Sequence, residues 1–467
     1  MELEQKMLTA VGLPVEERAK LAELIEIYNQ HKPGNAVKRK YYEGHISLAD
    51  VNLGLALPRD LRGLEIGCAW GEKAVDVLAA RSMFDGFVGR NGADAEAMTE
   101  ICRANRLVAE YAKACRDQLK YGCTFATLSR DDATGCRIRF HSPETAAAVW
   151  DGTRGRIGCG LAIIDSAKDD AKKENWRPAV VNLYTDDAVW VLIRDGEEWA
   201  GVEYANKMGR PLMEPLVWNA TSAKPFGRSR LKYSVRKLID GYIRTVANAS
   251  IGLEFATSPQ KYLLGVSDDQ YDTITGDRFQ SYVGAVIAAT ANPETGEKPT
   301  FGQLSQGTLE PHVQQLRMLA TQFGAATGLS AVDVGVINDA NPSSADAINA
   351  ADKSLVLMAE QLNISNGDAL YNIALMAQAI AGDKTLEELT AEEREVMAHF
   401  KNPATPSVSA TADAAVKIAT ARPGFAETDV YMEMLGFSPA DIRRIKAQES
   451  RARGLLTLQQ IEGNNNA

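Results

Sequence analysis

The chain has 467 residues, a formal net charge of −10 and 45% hydrophobic residues, which is the composition of a folded globular protein. Its acidity argues against a protein that grips nucleic acid along a broad basic surface. The sequence contains no apolar run of about eighteen residues or more, so we predict no membrane-spanning helix. The N-terminal MELEQKMLTAVGLPVEERAK is acidic and helical in character, and it lacks the features of a signal peptide.

The six cysteines and five histidines are widely spaced. They form neither a C-x-x-C pair nor an H-E-x-x-H pattern, so the sequence predicts no zinc or other metal site and no cofactor. Free, buried thiols in a reducing environment are the expectation for these cysteines.

The N-terminal third is predicted to be mainly helical. Met1 to His31 shows apolar residues at helical intervals, and KPGN at Lys32–Asn35 is expected to end that helix. Two more helices are predicted, over Gly71–Arg81 and over Asp94–Tyr121.

From Cys123 to about Trp218 the pattern changes to short β-rich runs separated by turns. The clearest strands are TFATLSR, CRIRF, GLAII, AVVNLY, AVWVLI and WAGVEY. DDATG at Asp131–Gly135 and RDGEEW at Arg194–Trp199 are typical of hairpin connections. The segment therefore predicts antiparallel β structure rather than βαβ units.

The C-terminal half is predicted to return to helices. One amphipathic helix should span Ser229–Phe255, with Arg236, Lys237, Asp240 and Arg244 opposite its apolar face. A strand-and-loop segment, Ser258–Gly307, separates it from a second helix over Leu309–Thr327.

Gly335 and Pro342 interrupt VDVGVINDANPSS, which is predicted to be a loop. A long helix should then start at Ser343 or Ser344 with a capping box and run towards Ala381, with a bend at Asn366-Gly367. Glu395–Pro406 is expected to return a strand to the β region. An alanine-rich helix over Ala410–Ala421 and one or two short helices between Phe425 and Leu458 should follow.

One stretch, LEIGCAWGEKAVDVLAAR at Leu64–Arg81, has features of the glycine loop of S-adenosylmethionine-dependent methyltransferases. Glu65 and Gly67 fit the pattern E-x-G-x-G-x-G, but Ala69 stands at the middle glycine. The preceding PRDLRG is too charged for a central parallel strand, and an antiparallel block follows where a strand-helix alternation is required. A turn followed by a packed helix is the favoured interpretation, and the methyltransferase is kept as the alternative.

The same region holds G-E-K, which recurs in NPETGEKPT at Asn292–Thr300. A phosphate-binding P-loop requires lysine directly after the last glycine, as in G-x-x-x-x-G-K-[ST]. Neither segment meets that requirement, so the sequence predicts no nucleotide-hydrolysing site of its own.

Several segments together resemble the portal proteins of long-tailed bacteriophages. They are KRKYYEGHISLADVNLGLALP, AVDVLAARSMFDGF, KYGCTFATLSRD, FHSPETAAAVWD, KLIDGYIRTVANAS, SPQKYLLGV and NPSSADAI. They occur in the expected order along nearly the whole chain. A different helical scaffold or adaptor protein of a virion is a weaker alternative, because the order helix, β insertion, helix, loop, helix favours a portal.

The resemblance implies an α+β portal fold with a wing of helices plus antiparallel β structure, a two-helix stem, a small α/β clip and a helical crown. The implied boundaries are 1–228 for the N-terminal wing, 229–257 and 308–331 for the stem helices, 258–307 for the clip, 332–343 for a tunnel loop, 344–424 for a long kinked helix and wing return, and 425–467 for the crown and tail.

The resemblance further implies a non-enzymatic protein that binds itself in a ring of about twelve subunits at one capsid vertex of the virion. Double-stranded DNA would pass through this ring during packaging and ejection. The implied partners are the large terminase subunit, a head-completion adaptor, and the major capsid and scaffolding proteins. Assembly would take place in the host cytoplasm.

Three groups of candidate site residues follow from this resemblance. Tunnel-loop and nearby channel candidates are Asn338, Asp339, Asn341, Ser343 and Lys353. The alternatives are a surface turn that caps the following helix at Ser343 and, for Lys353, an exposed lysine without a role in the channel. Stem residues that could form positive belts are Arg236, Lys237 and Arg244; ion pairs with groups such as Asp240 are the alternative. Clip residues that could bind partners are Tyr271, Phe279 and Tyr282, which could equally form the core of the clip.

Overall fold

The structure is a computed structural model that describes residues 3–51, 65–89, 95–168, 176–257, 261–264, 296, 298, 300–303, 308–330, 333–335, 345–404, 408–437 and 441–453. The chain divides into two compact units. Unit 1 comprises Met1–Asn35, Asp76–Ser229 and Leu355–Ala467, and unit 2 comprises Ala36–Val75 and Arg230–Ser354.

The helices occur in two groups along the chain, on either side of the β-rich segment. They are α1 (Val15–Glu43), α2 (Trp70–Ala79), α3 (Glu96–Ala104), α4 (Leu107–Tyr121), α5 (Tyr233–Thr257), α6 (Glu310–Thr327), α7 (Ala345–Ala381), α8 (Ala391–Arg394), α9 (Val408–Ala421), α10 (Asp429–Met434) and α11 (441–453). None of the described helices has the length and apolar run that crossing a bilayer requires.

Every pair of strands in the described part of the chain is antiparallel. The strands are β1 (Phe84–Val88), β2 (Cys123–Asp131), β3 (Gly135–His141), β4 (Ala146–Asp151), β5 (Arg156–Lys168), β6 (Trp176–Tyr184), β7 (Ala188–Asp195), β8 (Glu198–Ala205), β9 (Met213–Val217), β10 (Lys261–Leu264), β11 (Thr300–Gln303) and β12 (Met397–Phe400). They form sheets in the orders β4-β5-β6-β7-β8, β3-β2-β9, β1-β12 and β10-β11. The fold is therefore α+β, as predicted.

The five-stranded sheet buries one face against the N-terminal segment and α1. Side chains that alternate along the strands, such as Trp190 and Leu192, join Leu21 and Leu24 of α1 in one hydrophobic cluster. This alternation is the period-2 pattern of a strand with one buried face. The alternation is clear in β7, whereas β2 and β5 contain runs of buried residues. The sequence located these and three further strands, and both hairpin turns, correctly.

Strands β4 and β9 were not predicted. The first is AAAVWD, whose alanines have low strand propensity, and the second is MEPLV, which contains proline. The proline is tolerated because β9 lies at the edge of its three-stranded sheet.

The prediction that KPGN ends the first helix was wrong, because α1 continues through Pro33 to Glu43. Contacts on both sides of Pro33 hold the helix. Tyr28 donates a hydrogen bond to the Glu144 carbonyl at 2.6 Å, and Asn35 donates one to the Pro143 carbonyl at 3.1 Å. These tertiary contacts offset the backbone hydrogen bond that proline cannot make.

The single helix predicted over Asp94–Tyr121 is two helices, α3 and α4. The chain turns at Arg106, whose φ of 51° is left-handed. The Asn105 amide stabilises this turn, because it donates to the Cys136 carbonyl at 2.8 Å and accepts from the Ile138 amide at 2.9 Å. An asparagine that pairs with the edge of β3 thus interrupts a pattern that otherwise favours one helix.

The strand predicted near Glu395 exists as β12, but its expected partner was wrong. It pairs with β1 rather than with the β block. Phe84 and Phe400 lie in register across this pair and contact Tyr111 of α4, with ring centroids 5.5–5.9 Å apart. This aromatic contact holds the two-stranded sheet on α4, and the five-residue β1 was missed because FDGFV lacks an alternating pattern.

The predicted helices of the C-terminal half are present. The bounds of α6 and α9 agree with the predictions to within two residues, and two short helices follow Phe425. Helix α5 starts at Tyr233 rather than at the predicted Ser229, because the Ser229 hydroxyl donates to the Lys120 carbonyl outside the helix. The capping box predicted at Ser343 and Ser344 lies outside the described residues.

Candidate channel elements

Helices α5 and α6 of unit 2 form an antiparallel hairpin. Gly241 of α5 faces Leu319 of α6, and Gly252, later in α5, faces Leu309, just before the start of α6. Later residues of α5 thus meet earlier residues of the α6 segment, so the two helices run in opposite directions. The buried residues Val235, Ile239, Ile243 and Ala247 recur every four positions and form the apolar stripe of α5.

Gly241 allows the two helices of this hairpin to approach closely. A Cβ atom at this position would lie 3.1 Å from Leu319 Cδ2, which is tighter than ordinary van der Waals contact. At Gly252 the nearest atom would be 3.6 Å away, at an ordinary contact distance. The hairpin therefore requires a small residue at the first position more than at the second.

The hairpin continues into a β ladder. Strand β10 begins four residues after the end of α5, and β11 lies between it and α6 in the chain. Lys261 pairs with Gln303, and Leu264 pairs with Thr300. The clip candidates Tyr271, Phe279 and Tyr282 lie between these two strands in the sequence and are outside the described residues.

Arg230 joins three segments at the base of this hairpin. Its guanidinium is buried and donates to the carbonyl of Ala74 in α2 and, at 2.6 Å, to the carbonyl of Thr327 at the end of α6. Burial lowers the pKa of Arg230 to about 10. A buried arginine was not predicted, since GRSR is typical of an exposed loop.

The methyltransferase-like stretch contributes to packing in unit 2. Trp70 lies between Tyr242 of α5 and Phe323 of α6, with ring centroids 4.5 and 4.7 Å apart. Gly71 is required because a Cβ atom there would collide with the Tyr41 carbonyl at 1.9 Å. The glycine therefore serves close backbone contact, and the methyltransferase alternative has no support in this geometry.

The three predicted belt residues of α5 differ in their surroundings. Lys237 forms an ion pair with Asp240 at 2.7 Å, as the alternative interpretation expected. Arg236 lies over the Tyr41 ring, 5.6 Å from its centroid, and Arg244 is half-buried. All three residues thus lie on α5, and the charge of Lys237 is paired with that of Asp240.

Asp240 was expected on the exposed face of α5, and this prediction was wrong. It is 1% exposed and accepts hydrogen bonds from the Tyr41 hydroxyl and the Lys237 ammonium. Burial and the Asp240 hydrogen bond raise the pKa of Tyr41 well above its usual value, and the Asp240 hydrogen bond raises the pKa of Lys237. These partners satisfy the carboxylate, which is why a charge is tolerated in this position.

Hydrogen bonds within unit 2 hold the segment that precedes the predicted tunnel loop. Asp333 accepts a hydrogen bond from the Ser330 hydroxyl at 2.7 Å, and its carbonyl accepts one from Lys73 at 2.5 Å. The loop candidates Asn338, Asp339, Asn341 and Ser343 lie outside the described residues. Lys353 of α7 is exposed.

Unit 1 contains a buried polar network that sequence reasoning missed. Asn366 of α7 donates to the Tyr111 hydroxyl at 2.7 Å and exchanges hydrogen bonds with Gln118 at 2.7 and 3.0 Å. Ser82 contacts Tyr111 at 2.7 Å and Asn363 at 2.6 Å. Burial raises the pKa of Tyr111 well above its usual value. The available signal was an asparagine within the apolar stripe of α7.

The six cysteines are all buried and free, as predicted. Burial raises the pKa of Cys102 and Cys159 to about 11, so the thiols are in their protonated, unreactive form near neutral pH. Among the described residues, no group of histidine, cysteine and carboxylate side chains is arranged to hold a metal ion.

The fold and these elements define an α+β protein that contains a two-helix hairpin with a β ladder at its end. Residues 21–454 match the family described as "Phage portal protein, SPP1 Gp6-like", and the chain therefore belongs to the phage portal protein family, as the sequence predicted.

Two relatives are named portal proteins. That of Mycobacterium phage L5 is 25% identical over 413 residues, covering 85% of this chain and 81% of the relative. That of Mycobacterium phage D29 is 24% identical over 461 residues, covering 95% of this chain and 90% of the relative. Among solved structures, the neck of an empty GTA particle, computed with C6 symmetry, matches at a TM-score of 0.46 and 13% identity, over 77% of this chain and 86% of that chain.

Proposed function

We propose that this protein assembles into a ring of about twelve copies that forms the DNA channel at one vertex of a phage capsid. The observation that carries the proposal is the antiparallel α5–α6 hairpin with its terminal β ladder, in a chain of the portal family. Copies of such a hairpin around an axis enclose a passage through which DNA is packaged, retained and ejected. The protein acts as a structural channel and not as an enzyme.

The proposed parts follow the sequence boundaries. The wing comprises 1–228 and the return in 344–424, the stem 229–257 and 308–331, the clip 258–307, the tunnel loop 332–343 and the crown 425–467. The position of β10–β11 at the end of the hairpin supports placing the clip there. Asn338, Asp339, Asn341, Ser343 and Lys353 are proposed to face the channel.

An acidic chain suits a channel in which DNA must slide. Cyclic symmetry turns one basic residue per subunit into a belt of positive charge, whereas the net charge of −10 limits tight binding elsewhere. Of the three belt candidates, Arg244 is the strongest, because Asp240 already pairs with Lys237. Arg236 is intermediate, since its guanidinium is held over Tyr41.

The same proposal assigns the partners. The clip, with Tyr271, Phe279 and Tyr282, would bind the large terminase subunit during packaging and a head-completion adaptor afterwards. The wing would contact the major capsid and scaffolding proteins. Assembly would take place in the host cytoplasm, before the ring becomes part of the virion.

Electron microscopy of the purified chain tests the ring directly. The expected result is a ring with an axial hole, and particles that stay monomeric under all assembly conditions would contradict the proposal. DNA uptake by capsids carrying Arg244→Gln then tests the belt, with Lys232→Gln, at an exposed lysine just before α5, as the matched control. We expect a larger effect from the first variant if both form intact rings.

A further inference from the structure

We infer that each subunit contacts the next copy of this chain through the exposed faces of α7 and α4, so that the acidic face of one helix packs on the basic face of the other. This inference rests on the proposed ring. It assigns an interface that the ring alone does not specify.

The exposed face of α7 carries an apolar residue every seven positions. Leu357, Ile364 and Tyr371 are 50%, 69% and 36% exposed. Seven residues turn an α-helix by almost two full turns, so the three side chains form one row about 21 Å long. Such a row is the seam along which a helix packs on another element, and within the described part of the chain each of its three side chains stays at least 36% exposed.

Carboxylates flank this row. Glu360 and Asp368 are exposed on the same face. Two basic residues adjoin it: Lys353, one turn before Leu357, and Arg394, which lies beside Ile364 and Tyr371. A groove of about 760 Å³ runs beside it, bounded by Ile364, Tyr371 and the exposed Met397 of β12. We call the five α7 residues, Leu357, Glu360, Ile364, Asp368 and Tyr371, the acidic stripe.

The exposed face of α4 has the opposite charge and small side chains. Ala109, Ala112, Lys113 and Arg116 share this face, which we call the basic stripe. Glu110 pairs with Lys113 at 2.7 Å and Asp76 lies 3.7 Å from Arg116, but both carboxylates are less exposed than the cations they accompany. The two alanines allow a partner helix to approach closely.

The two stripes lie on opposite sides of one rigid contact. Helices α4 and α7 pack on each other through Gln118 and Asn366, which are buried and hydrogen-bonded. At about 100° per residue, Ile364 lies about 160° around α7 from Asn366, and Arg116 lies about 160° around α4 from Gln118. The stripes therefore face away from each other.

Opposite faces with opposite charge fit the symmetry of a ring. A ring requires a heterologous interface, in which one patch contacts a different patch of the next copy. The acidic stripe of each subunit can meet the basic stripe of its neighbour, and the pattern closes after a full turn. The charge complementarity of the two stripes is what identifies a second copy as the occupant.

A charge-exchange experiment tests the contact. One variant reverses the acidic stripe (Glu360→Lys with Asp368→Lys), and the other reverses the basic stripe (Lys113→Glu with Arg116→Glu). Alone, each places like charges at every interface, so we expect at least a tenfold loss of rings by mass photometry and electron microscopy. Mixed in equal amounts, the variants have complementary faces, and we expect alternating rings that contain both chains.

A control variant separates this contact from net charge. Glu198→Lys with Glu203→Lys reverses two exposed carboxylates on β8 and changes the net charge by the same amount as reversal of the acidic stripe. It should assemble as wild type does. Ile364→Ser tests the apolar part of the stripe, and because this side chain is 69% exposed the subunit should keep its fold by circular dichroism while rings are reduced.

The outcomes distinguish the two claims. If wild type forms rings and both charge-reversed variants form them equally well, the interface is wrong and the ring stands. If the variants are folded and their mixture forms no rings, the pairing of these two stripes is wrong. A wild-type chain that never forms rings overturns the proposed function and this interface together.

Discussion

The base of the α5–α6 hairpin and the contact between α4 and α7 both bury polar side chains between helices, but the chemistry of those side chains differs. The hairpin base buries ionised groups, namely Arg230 and the Asp240 carboxylate with its partners. The α4–α7 contact buries neutral groups, namely Tyr111, Gln118 and Asn366. Removing the partner of a buried charge lowers the free energy of unfolding more than removing the partner of a buried neutral group. A neutral network, in turn, fixes the register of two helices independently of pH.

The largest expected effect is at Arg230. Replacing it with methionine keeps an unbranched apolar stem but removes the guanidinium, which donates to the Ala74 and Thr327 carbonyls. We expect a loss of about 3 kcal/mol in the free energy of unfolding, because charge-assisted hydrogen bonds are lost and buried acceptors are left unpaired. Urea unfolding measures it. Arg228→Met, at an exposed arginine two residues earlier, is the control. Equal effects of the two substitutions would show that the hydrogen bonds of Arg230 do not stabilise the hairpin base.

The second prediction tests the neutral network. Asn366→Leu removes the hydrogen bonds to Tyr111 and Gln118 and should cost about 2 kcal/mol of unfolding free energy. The loss should be the same at pH 6 and pH 9, because none of the groups changes its charge in this range. Ser365→Ala, at the exposed neighbouring position, should cost much less. A pH-dependent loss would break the contrast between the two regions.

The third prediction concerns alkaline pH. The pKa of Tyr41 is raised in the folded protein, so the unfolded chain loses its proton first, near pH 10, and stability falls as pH rises above that value. Tyr41→Phe removes this contribution. At pH 9 it should cost about 1 kcal/mol through the lost bond to Asp240, and the difference from wild type should shrink by pH 11.

Tyr233→Phe is the matched control for this pH series, because Tyr233 is on α5 but 68% exposed. Its unfolding free energy should follow wild type at both pH values in urea titrations. If Tyr41→Phe and wild type keep a constant difference up to pH 11, then the Tyr41 phenol does not contribute to the alkaline loss of stability.

The same comparison shows what the sequence could and could not predict. The hairpin helices and the strands of the β block follow from local periodicity, which is a property of consecutive residues. Asp240 was placed on the wrong face because helical periodicity does not reveal Tyr41, which comes from a segment 199 residues away. Arg230 and Asn366 were missed for the same reason: their partners are distant in the chain.

The smallest expected effect compares two glycines of α5. Gly→Ala in a helix contributes up to about 1 kcal/mol by reducing the freedom of the unfolded chain. Gly252→Ala should gain most of this, since its Cβ meets Leu309 at an ordinary 3.6 Å. Gly241→Ala should gain less or nothing, because Leu319 must shift from 3.1 Å. Urea unfolding of both variants gives the difference, and an equal gain at both positions would show that the helices do not approach more closely at Gly241.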